Sequence, residues 1–592
     1  MTKKRREDIA ECLSNYFPSV IKLLMETLQE SLLLDSCLQE QVAIKFFSCF
    51  DAWFIFTTKD HLKVIEPVFI NIFSYLKNPN CPLDVHEKVS DALCKVIYQC
   101  EAHSRFADLR VFVMNEVIAL DSAYTNAVLA EYSEKLIDFA RIFSELGNSL
   151  LEYIINDQVD FKILQLILNC VGYYDFEVAA TTFGFWYNFS EVVFKNGTTK
   201  FSPYFNLLLT SLTRHCQLES DSNDIIDEKS DQFDYRIQIS ELIREVIPCC
   251  DWVEFVKSTN LIEVLKSSTS WVDVEVNLYI VYCIACDKNF IFQNERKNEV
   301  LPDIVNFSLQ LFSQSTHIQV LATCCDLLGE LNEWLIVNCD FLNLVINFLL
   351  FIINSTYKTL PKLATRACIA LKPIIAGMKT VIDLNSIKSL FVSLENVYSQ
   401  IEDISVDLSV SLMACLTAIV SNPSFSICEE QEFFVQRIIH LCLNKVNEIL
   451  TPKLSSEVNQ KKWEKIIDNI YAIFKDFVPN QTTLNSKSIH GLIQDQIWPF
   501  LKLSITHFCS IDSQIIEHCS RCVRHIVRSM KPSYLLQPIV DHIVPLYQQY
   551  PNNSPLLYIA SVLVSEFGDE NDPTISNGLI LMLNVSYFLL IL

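Results

Sequence analysis

The amino-acid sequence predicts an all-α protein, a HEAT-repeat superhelical solenoid of antiparallel helix pairs, from three observations. Glycine is scarce, with 9 in 592 residues, whereas the tight turns of β-sandwiches, barrels and propellers consume glycine. Apolar residues recur every three or four positions through most of the chain, which indicates amphipathic helices. Similar helix starts recur at a period in the low forties, which is typical of HEAT repeats. At that period the chain would hold about fourteen helix pairs.

The repeat is clearest in the middle of the chain. Four apolar helices are predicted to begin after turn-like segments, near Val276, Val320, Leu363 and Val406. Their separations are 44, 43 and 43 residues. Similar helix starts are expected near Val85, Val178 and Ile515. One helix pair cannot bury its apolar face alone, so neighbouring pairs must stack, which accounts for the 50% of apolar residues without requiring a membrane.

One predicted hairpin can be followed residue by residue. An apolar stripe over residues 161–171 predicts a helix that Gly172 ends, as glycine commonly does just after a helix. Asp175 is placed to cap a second helix, whose apolar stripe covers residues 178–193. The short connection between the two stripes predicts an antiparallel pair.

The charge and cysteine content restrict the partners and the compartment. The formal net charge is −24, from 46 basic and 70 acidic side chains. Such a surface repels nucleic acid and anionic membranes, so neither is an expected partner. The 22 cysteines are spread through helical patterns, and the first residues are polar and charged rather than those of a signal peptide. We therefore expect a reducing compartment, with the cysteines acting as small buried residues.

The glycine spacing also argues against an enzyme. No two glycines are closer than ten residues, so a dinucleotide fingerprint, a P-loop and a G-x-S-x-G nucleophile elbow are absent. No H-E-x-x-H motif occurs. The two C-x-x-C pairs, Cys283 with Cys286 and Cys519 with Cys522, are too far apart in a solenoid to share a zinc ion. The sequence predicts a binding protein without catalytic residues, metal or cofactor.

Two segments raise the alternative of a membrane anchor. Residues 341–353 are apolar but contain Asn343 and Asn347, and are interpreted as a core helix. Residues 578–592 form an almost wholly apolar tail, interpreted either as an interrupted core helix or as a tail anchor. The tail is shorter than the ~20 residues that a membrane span needs, which favours the core helix.

An acidic segment interrupts the array at about residues 219–234. It is expected to form a loop between helices, and one basic residue, Lys229, lies among its acids. The acids are Glu219, Asp221, Asp224, Asp227, Glu228, Asp231 and Asp234. Two interpretations stay open: a solvated surface loop, or an electrostatic contact for a basic partner.

A basic helix is expected at about residues 514–530. Arg521, Arg524 and Arg528 stand at i, i+3 and i+7, which places the three guanidinium groups on one helix face. Cys522, Ile526 and Val527 can then face the core. The arginines form either a solvated face neutralised by neighbouring acids or a docking site for a phosphorylated or acidic peptide, because guanidinium groups bind phosphate and carboxylate bidentately.

Several segments resemble one family. They are Phe183-Gly-Phe-Trp-Tyr-Asn-Phe-Ser-Glu191, Thr213-Arg-His-Cys-Gln-Leu-Glu219, Arg141-Ile-Phe-Ser-Glu-Leu146, Ile497-Trp-Pro-Phe-Leu501, the run from Arg521 to Arg528 and Leu535-Leu-Gln-Pro538. In order and spacing they are similar to the transportin-SR (transportin-3) family, which are importin-β-type nuclear import receptors.

The resemblance implies a HEAT superhelix that shuttles between cytoplasm and nucleus. The expected cargo is serine/arginine-rich splicing factors with phosphorylated Arg-Ser domains, and the other expected partners are nucleoporins and Ran-GTP, which releases the cargo. In the family an arginine-rich helix binds the phosphoserines of the cargo. Arg521, Arg524 and Arg528 match that helix.

The match to the family departs at both ends. The N-terminal repeats, which carry the main Ran-GTP contacts in the family, and the C-terminal repeats have no counterpart here. We therefore expect a continuous repeat array over residues 1–577, a divergent tail over residues 578–592, and weak or absent Ran-GTP binding with no assignable residues. A HEAT scaffold unrelated to transport and a tail-anchored adaptor remain the alternatives.

Overall fold

The computed structural model describes residues 3–102, 106–287, 300–313, 316–378, 384–401, 405–423, 430–450, 457–551, 553–568 and 577. In these ranges all regular secondary structure is helical, which confirms the predicted all-α class. The contacts divide the chain into two compact units. The first is Met1–Ser222 with Ile226–Val300, and the second is Asn223–Ile225 with Leu301–Leu592.

Within its described residues the first unit contains a series of sixteen helices, several of them joined by only a few residues. They are α1 (Lys3–Ser31), α2 (Ser36–Phe54), α3 (Leu62–Lys77), α4 (Leu83–Ala102), α5 (Ala107–Ile118), α6 (Asp121–Leu129), α7 (Ser133–Ser149), α8 (Leu151–Ile155), α9 (Lys162–Val171), α10 (Phe176–Ala180), α11 (Phe183–Asn196), α12 (Ser202–His215), α13 (Asp231–Val246), α14 (Trp252–Ser258), α15 (Leu261–Ser267) and α16 (Trp271–Ala285).

The second unit continues the same pattern. Its helices are α17 (Leu301–Gln310), α18 (Ile318–Glu330), α19 (Asn332–Val337), α20 (Cys339–Thr356), α21 (Pro361–Gly377), α22 (Leu384–Gln400), α23 (Val406–Val420), α24 (Gln431–Leu450), α25 (Glu457–Lys475), α26 (Gln481–Leu484), α27 (Lys487–Leu492), α28 (Trp498–Phe508), α29 (Ser513–Met530), α30 (Leu536–Gln549) and α31 (Ser554–Phe567). A single π-helical turn, Ile493–Ile497, joins α27 to α28.

In each unit, the second helices of successive pairs stack in a continuous row. In the first unit α2, α4, α7, α11, α13 and α16 pack in that order, and in the second unit α18, α21, α23, α25, α29 and α31 do so. The first helix of most pairs packs on this row, as α3 does on α4 and α20 on α21. This arrangement is the HEAT-type stacking that the period predicts.

Large aromatic side chains fill the space between successive helix pairs. In the first unit Phe189 of α11 stacks on Phe205 of α12, with ring centres 5.4 Å apart. In the second unit the fully buried Trp463 of α25 stacks on Phe500 of α28 at 5.3 Å. The Trp463 indole also donates a hydrogen bond to Ser504 Oγ at 2.6 Å. Each such ring contributes roughly 1.5–3 kcal/mol to the free energy of unfolding through burial.

The predicted helix starts agree with the observed ones at most positions. Val320, Leu363 and Val406 lie within two residues of the beginning of α18, α21 and α23, whereas Val276 lies five residues inside α16. Asp175 caps α10, and its side chain accepts a hydrogen bond from the Glu177 N–H at 3.0 Å.

Two details of the predicted hairpin were wrong. The stripe over residues 178–193 was expected to be one helix, but the helix is interrupted between Ala180 and Phe183, giving α10 and α11. Gly172 does follow the end of α9, but its φ is −75°, outside the left-handed region. Any residue adopts that conformation, so the glycine is not required there for its backbone freedom.

The helix predicted at residues 341–353 is part of α20. It is long and apolar enough to cross a membrane by length and composition alone. Leu342, Val345, Leu349 and Ile352 are buried, and α20 packs against α17 and α21. These contacts are those of a core helix. The predicted apolar tail at residues 578–592 lies outside the described residues.

The row of the second unit contains a close approach that requires glycine. A Cβ added at Gly329 of α18 would lie 2.8 Å from the Cα of Ala370 in α21 and 3.1 Å from its Cβ. Because the obstructing atom belongs to the backbone of a neighbouring helix, no side-chain rotation relieves the contact.

We expect Gly329→Ala to lower the free energy of unfolding by about 1–3 kcal/mol, because α18 and α21 must separate to admit the methyl group. Gly491→Ala in the same unit is the matched control, since nothing lies within 4 Å of its added Cβ, and it should be neutral or stabilising by up to about 1 kcal/mol. Urea unfolding followed by circular dichroism measures both. Equal stability of the two variants would contradict the close contact.

Candidate functional site

The predicted arginine-bearing helix is α29, and both of its ends are fixed by local chemistry. At the start, the Asp512 carboxylate accepts hydrogen bonds from the N–H groups of Gln514 and Ile515, at 2.8 and 3.4 Å. These bonds satisfy donors that have no partner within the helix. At the end, Lys531 adopts a left-handed conformation with φ 44°, which terminates the helix.

One face of α29 is buried against α25, α28 and α31. Its buried apolar side chains are Ile515, Ile516, Cys519, Cys522, Val523, Ile526, Val527 and Met530. The expected orientation of Cys522, Ile526 and Val527 is therefore observed. With this face in the core, Arg521 and Arg528 are left exposed and Arg524 is half-buried.

Arg521 and Arg528 are both paired with carboxylates of this chain. Arg521 Nη2 donates to Glu517 Oε1 at 2.6 Å, one turn earlier in α29. Arg528 Nε donates to Glu566 Oε1 of α31 at 3.0 Å. The two arginine side chains are 51% and 42% exposed. Glu517 is equally exposed, so the Arg521 pair contributes little to stability and exchanges at small cost. Glu566 is only 19% exposed, so the Arg528 pair is less screened by solvent.

Arg524 differs from its two neighbours because its partner carries no charge. Its Nη1 donates a hydrogen bond to the Tyr558 hydroxyl, and its guanidinium carbon lies 5.7 Å from the centre of the Tyr558 ring. Its Nε is buried without a hydrogen-bond partner among the described residues. No described carboxylate lies within ion-pair distance of it. Arg524 is therefore a partly desolvated cation with unused capacity to bind an anion.

The charges of these arginines affect the pKa of His525, which lies on the same helix. Burial lowers the pKa of His525, and the nearby charges of Arg524, Arg528 and Lys475 lower it further, with Asp476 acting in the opposite direction. The His525 ring packs edge-on against Tyr471, whose own ring lies 5.5 Å from Lys475 Nζ. The net positive charge therefore extends from α29 onto α25.

Lys475 was missed in the sequence analysis. It lies fifty positions before His525, and only the packing of α25 on α29 brings the two together. A period of 43 or 44 residues aligns Lys475 with residues 518–519 rather than with His525, so the sequence spacing gave no signal for it. We call Arg521, Arg524, Arg528 and Lys475 the basic cluster.

His518 lies two turns before His525 on the same helix, and its hydrogen-bond partner is an acidic side chain. Its Nδ1 lies 2.7 Å from Asp468 Oδ1 of α25. The hydrogen bond to this carboxylate raises the pKa of His518, against the effect of burial and of Arg521. The acidic and the basic surroundings are thus two turns apart on one helix.

The cysteines near the site are structural. Cys519 and Cys522 are fully buried, and burial raises the pKa of both thiols, so they stay protonated. The same holds for Cys283 of the other C-x-x-C pair. Within the described ranges, no group of three or more His, Cys, Asp or Glu side chains could hold a metal ion.

The acidic segment is shorter as a loop than expected. The chain is non-helical only up to Ser230, which caps α13, so Asp231 and Asp234 lie in the first turn of that helix. Acidic residues are favourable there because they face the positive end of the helix dipole. All seven acidic side chains, Glu219, Asp221, Asp224, Asp227, Glu228, Asp231 and Asp234, are exposed.

Asp224 is already engaged within the second unit. Lys362 Nζ lies 2.8 Å from Asp224 Oδ2. This hydrogen bond, with another from the Ile225 N–H, lowers the pKa of Asp224. Asp224 contributes less to a free acidic surface than the sequence implies.

Family models match three successive parts of the chain. They describe the second, third and fourth TPR domains of transportin-3 and importin-13, and they match residues 131–215, 298–388 and 490–588. The domains follow in the family's own order, and the fourth includes all of α29. Over these three parts the chain is similar to the transportin-3/importin-13 group of importin-β-type nuclear transport receptors.

A curated relative and several solved structures agree with this family. The mRNA transport regulator MTR10 of Saccharomyces cerevisiae is 22% identical over 605 residues, which cover 97% of this chain and 59% of the yeast protein. The chain thus spans less than two thirds of that relative. Importin-13 in its cytosolic state has the same fold with a TM-score of 0.70 and 15% identity, over 99% of this chain and 70% of importin-13.

The yeast karyopherin Kap95p shares the fold at similar distance. In a structure with RanGDP it is 12% identical with a TM-score of 0.62, over 98% of this chain and 65% of Kap95p. In a complex with Nup1 it is 11% identical with a TM-score of 0.63, over 97% of this chain and 65% of Kap95p. These likenesses confirm the karyopherin solenoid as the fold.

We expect Asp468→Asn to lower the pKa of His518 toward its ordinary value of 6.5. Because the folded-state pKa is raised, the pair stabilises the protein below about pH 6.5, and this contribution is lost as pH rises through the raised pKa. The parent should therefore exceed the variant in stability at pH 6, by at most about 1 kcal/mol after solvent screening, and not at pH 8.5. Imidazole NMR titration gives the pKa, with His525 as the internal control. An unchanged His518 pKa would contradict the pairing.

Proposed function

We propose that this chain is a nuclear transport receptor that binds phosphorylated Arg-Ser segments of serine/arginine-rich splicing factors through Arg521, Arg524 and Arg528. The observation that carries the proposal is Arg524, a half-buried guanidinium whose partner is a neutral phenol. It lies at the centre of the basic cluster, in the part of the chain that matches the fourth transportin-3/importin-13 domain.

The chemistry of a phosphoserine fits this cluster. At neutral pH it carries about −1.5 to −2 charges and three strong acceptor oxygens. A guanidinium group donates two parallel hydrogen bonds to such an anion. Partial removal from solvent, as at Arg524, strengthens these hydrogen bonds. Lys475 adds a point charge from α25. His525 is held neutral by its lowered pKa, so it contributes no charge at physiological pH.

The remaining partners are proposed from similarity to receptors of the karyopherin family. Kap95p has been solved with RanGDP and with Nup1, and MTR10 is named as a regulator of mRNA transport. For this chain we propose contacts with nucleoporins, at most weak contact with Ran-GTP, and shuttling between cytoplasm and nucleus. It acts by binding and release rather than by catalysis.

The acidic segment at residues 219–234 is proposed as a contact for a basic partner. Its carboxylates are exposed, and the segment 223–225 belongs to the second unit through contacts such as the Asp224–Lys362 pair. A tethered loop loses less conformational entropy when a partner binds than a free one does.

We expect Arg521→Ala with Arg524→Ala to weaken binding of a phosphorylated Arg-Ser peptide by about a hundredfold or more. Each charge-assisted hydrogen bond lost contributes roughly 1.5–3 kcal/mol. Replacement of both residues by lysine should rescue binding only in part, because a lysine lacks the planar fork. Fluorescence anisotropy titration of a labelled peptide measures the affinities.

The matched control for that experiment is Arg214→Ala with Arg244→Ala. It removes two exposed arginines from α12 and α13 and has the same net charge as the test variant. It should bind like the parent. If the two double variants bind the peptide equally, the assignment of the cargo site to α29 is wrong.

Binding should also raise the pKa of His525. The charges of Arg524 and Arg528 help to lower this pKa, so a phosphate that neutralises them removes part of the cause. The imidazole resonance of His525, titrated with and without saturating phosphopeptide, tests this point. The dephosphorylated peptide is the control. A His525 pKa that does not change while the phosphopeptide binds would place the ligand elsewhere.

A further inference from the structure

We infer that Glu517 and Glu566 make this surface selective for alternating charge. When phosphate groups bind Arg521 and Arg528, the two carboxylates are released and pair with arginines of the same ligand. The inference rests on the proposed function and deepens it, because it assigns the recognition of the ligand's arginines to two acidic residues of the receptor.

The order of charges along the surface carries the inference. Glu517 precedes Arg521 by one turn, Arg524 lies in the middle, and Arg528 is followed by Glu566 from the neighbouring helix α31. The basic groups are thus central and each end is acidic. From residue 517 to residue 528 the helix rises about 16 Å at ~1.5 Å per residue. An extended peptide covers that length with about five residues at ~3.3 Å each.

A five-residue segment Arg–phosphoserine–Arg–phosphoserine–Arg matches this order at its two phosphates and its two terminal arginines, whereas its central arginine lies opposite Arg524 and must turn away from the surface. Its phosphates lie in the interior, where the receptor offers arginines, and its terminal arginines lie at the ends, where the receptor offers Glu517 and Glu566. Among the described residues Arg524 has no carboxylate partner, so a phosphate can bind it without displacing one of them. The exchange at Arg521 and Arg528 can then follow.

The energetics of exchange explain why the ligand's arginines matter. The Arg521–Glu517 pair is exposed on both sides, so its loss costs little. In the Arg528–Glu566 pair the Glu566 side chain is only 19% exposed, so opening it costs more unless a ligand cation replaces Arg528. A phosphate that takes Arg521 leaves Glu517 unpaired beside two negative charges, which is repulsive. A ligand arginine removes that repulsion and restores the number of ion pairs. A ligand with phosphates and no arginines leaves that repulsion in place at both Glu517 and Glu566.

The test compares two peptides on three proteins. The peptides carry the core Arg–phosphoserine–Arg–phosphoserine–Arg or the same core with glutamine in place of arginine, between identical neutral flanks. The proteins are the parent, Glu517→Gln with Glu566→Gln, and a control, Glu116→Gln with Glu191→Gln. The control also removes one pair between helices, Glu116 with Lys77 at 2.8 Å, and one pair within a helix, Glu191 with Lys195.

We expect the parent to bind the arginine-containing peptide at least about tenfold more tightly than the glutamine-containing one. Glu517→Gln with Glu566→Gln should reduce that ratio by roughly fivefold, as expected for two exposed ion pairs, and should tighten binding of the glutamine-containing peptide. The control, which has the same net charge, should keep the parental ratio. Circular dichroism should show the same helix content in all three.

Two outcomes would overturn the inference. If the test variant and the control show the same ratio of affinities for the two peptides, Glu517 and Glu566 do not bind the ligand's arginines. If the test variant gains affinity equally for both peptides, the carboxylates are competitors of phosphate and nothing more. Failure of the parent to bind either peptide is a different result, and it would remove the proposed function itself.

Discussion

The stacking of each second helix on its equivalents in neighbouring repeats is the interaction on which both units depend. A helix in such a row is covered on two sides by other helices and on a third by its own pair partner. In α23 ten of the fifteen residues are buried. The apolar surface removed from water in this way stabilises the fold. It also demands small residues where the helices approach most closely.

The cysteines and the scarce glycines are part of this constraint. Gly329 meets Ala370 where α18 and α21 touch. At the next interface in the row, the Cys415 thiol donates to the Cys368 carbonyl at 3.1 Å. Burial raises the pKa of the Cys368 thiol well above its ordinary value. These thiols behave as small apolar residues with a weak donor, which explains their abundance without any redox or metal chemistry.

Burial also separates structural ion pairs from exchangeable ones. Arg236 and Glu275 are almost completely buried, with two hydrogen bonds of 2.9 and 2.7 Å, and Arg236 Nε also donates to the Cys216 carbonyl. Opening that pair would leave a charge without solvent, which costs several kcal/mol. Arg521 and Arg528 have the same kinds of partner but are exposed, so water and ligands compete for them. Solvent contact decides which arginines can serve as a binding surface.

This distinction shows what the sequence could predict. The repeat period predicted the helix pairs. The spacing of Arg521, Arg524 and Arg528 predicted their common face, because that face is a property of a single helix. The carboxylates of Glu566 and the charge of Lys475 come from other helices of the row, and single-helix periodicity carries no information about them. The break between α10 and α11 was missed for a related reason, since its apolar stripe continues across the break and gives no signal of it.

The local charge balance reconciles an anion-binding site with a net charge of −24. At physiological ionic strength the Debye length is about 8 Å, so acids elsewhere on the solenoid are largely screened from a ligand on α29. The charges that such a ligand meets are those of the basic cluster and of Glu517 and Glu566. Two of the four basic groups, Arg521 and Arg528, are already paired with these carboxylates, so the attraction of the free surface for a simple anion comes mainly from Arg524 and Lys475. A ligand that carries both signs of charge in the right order gains contacts with all of them.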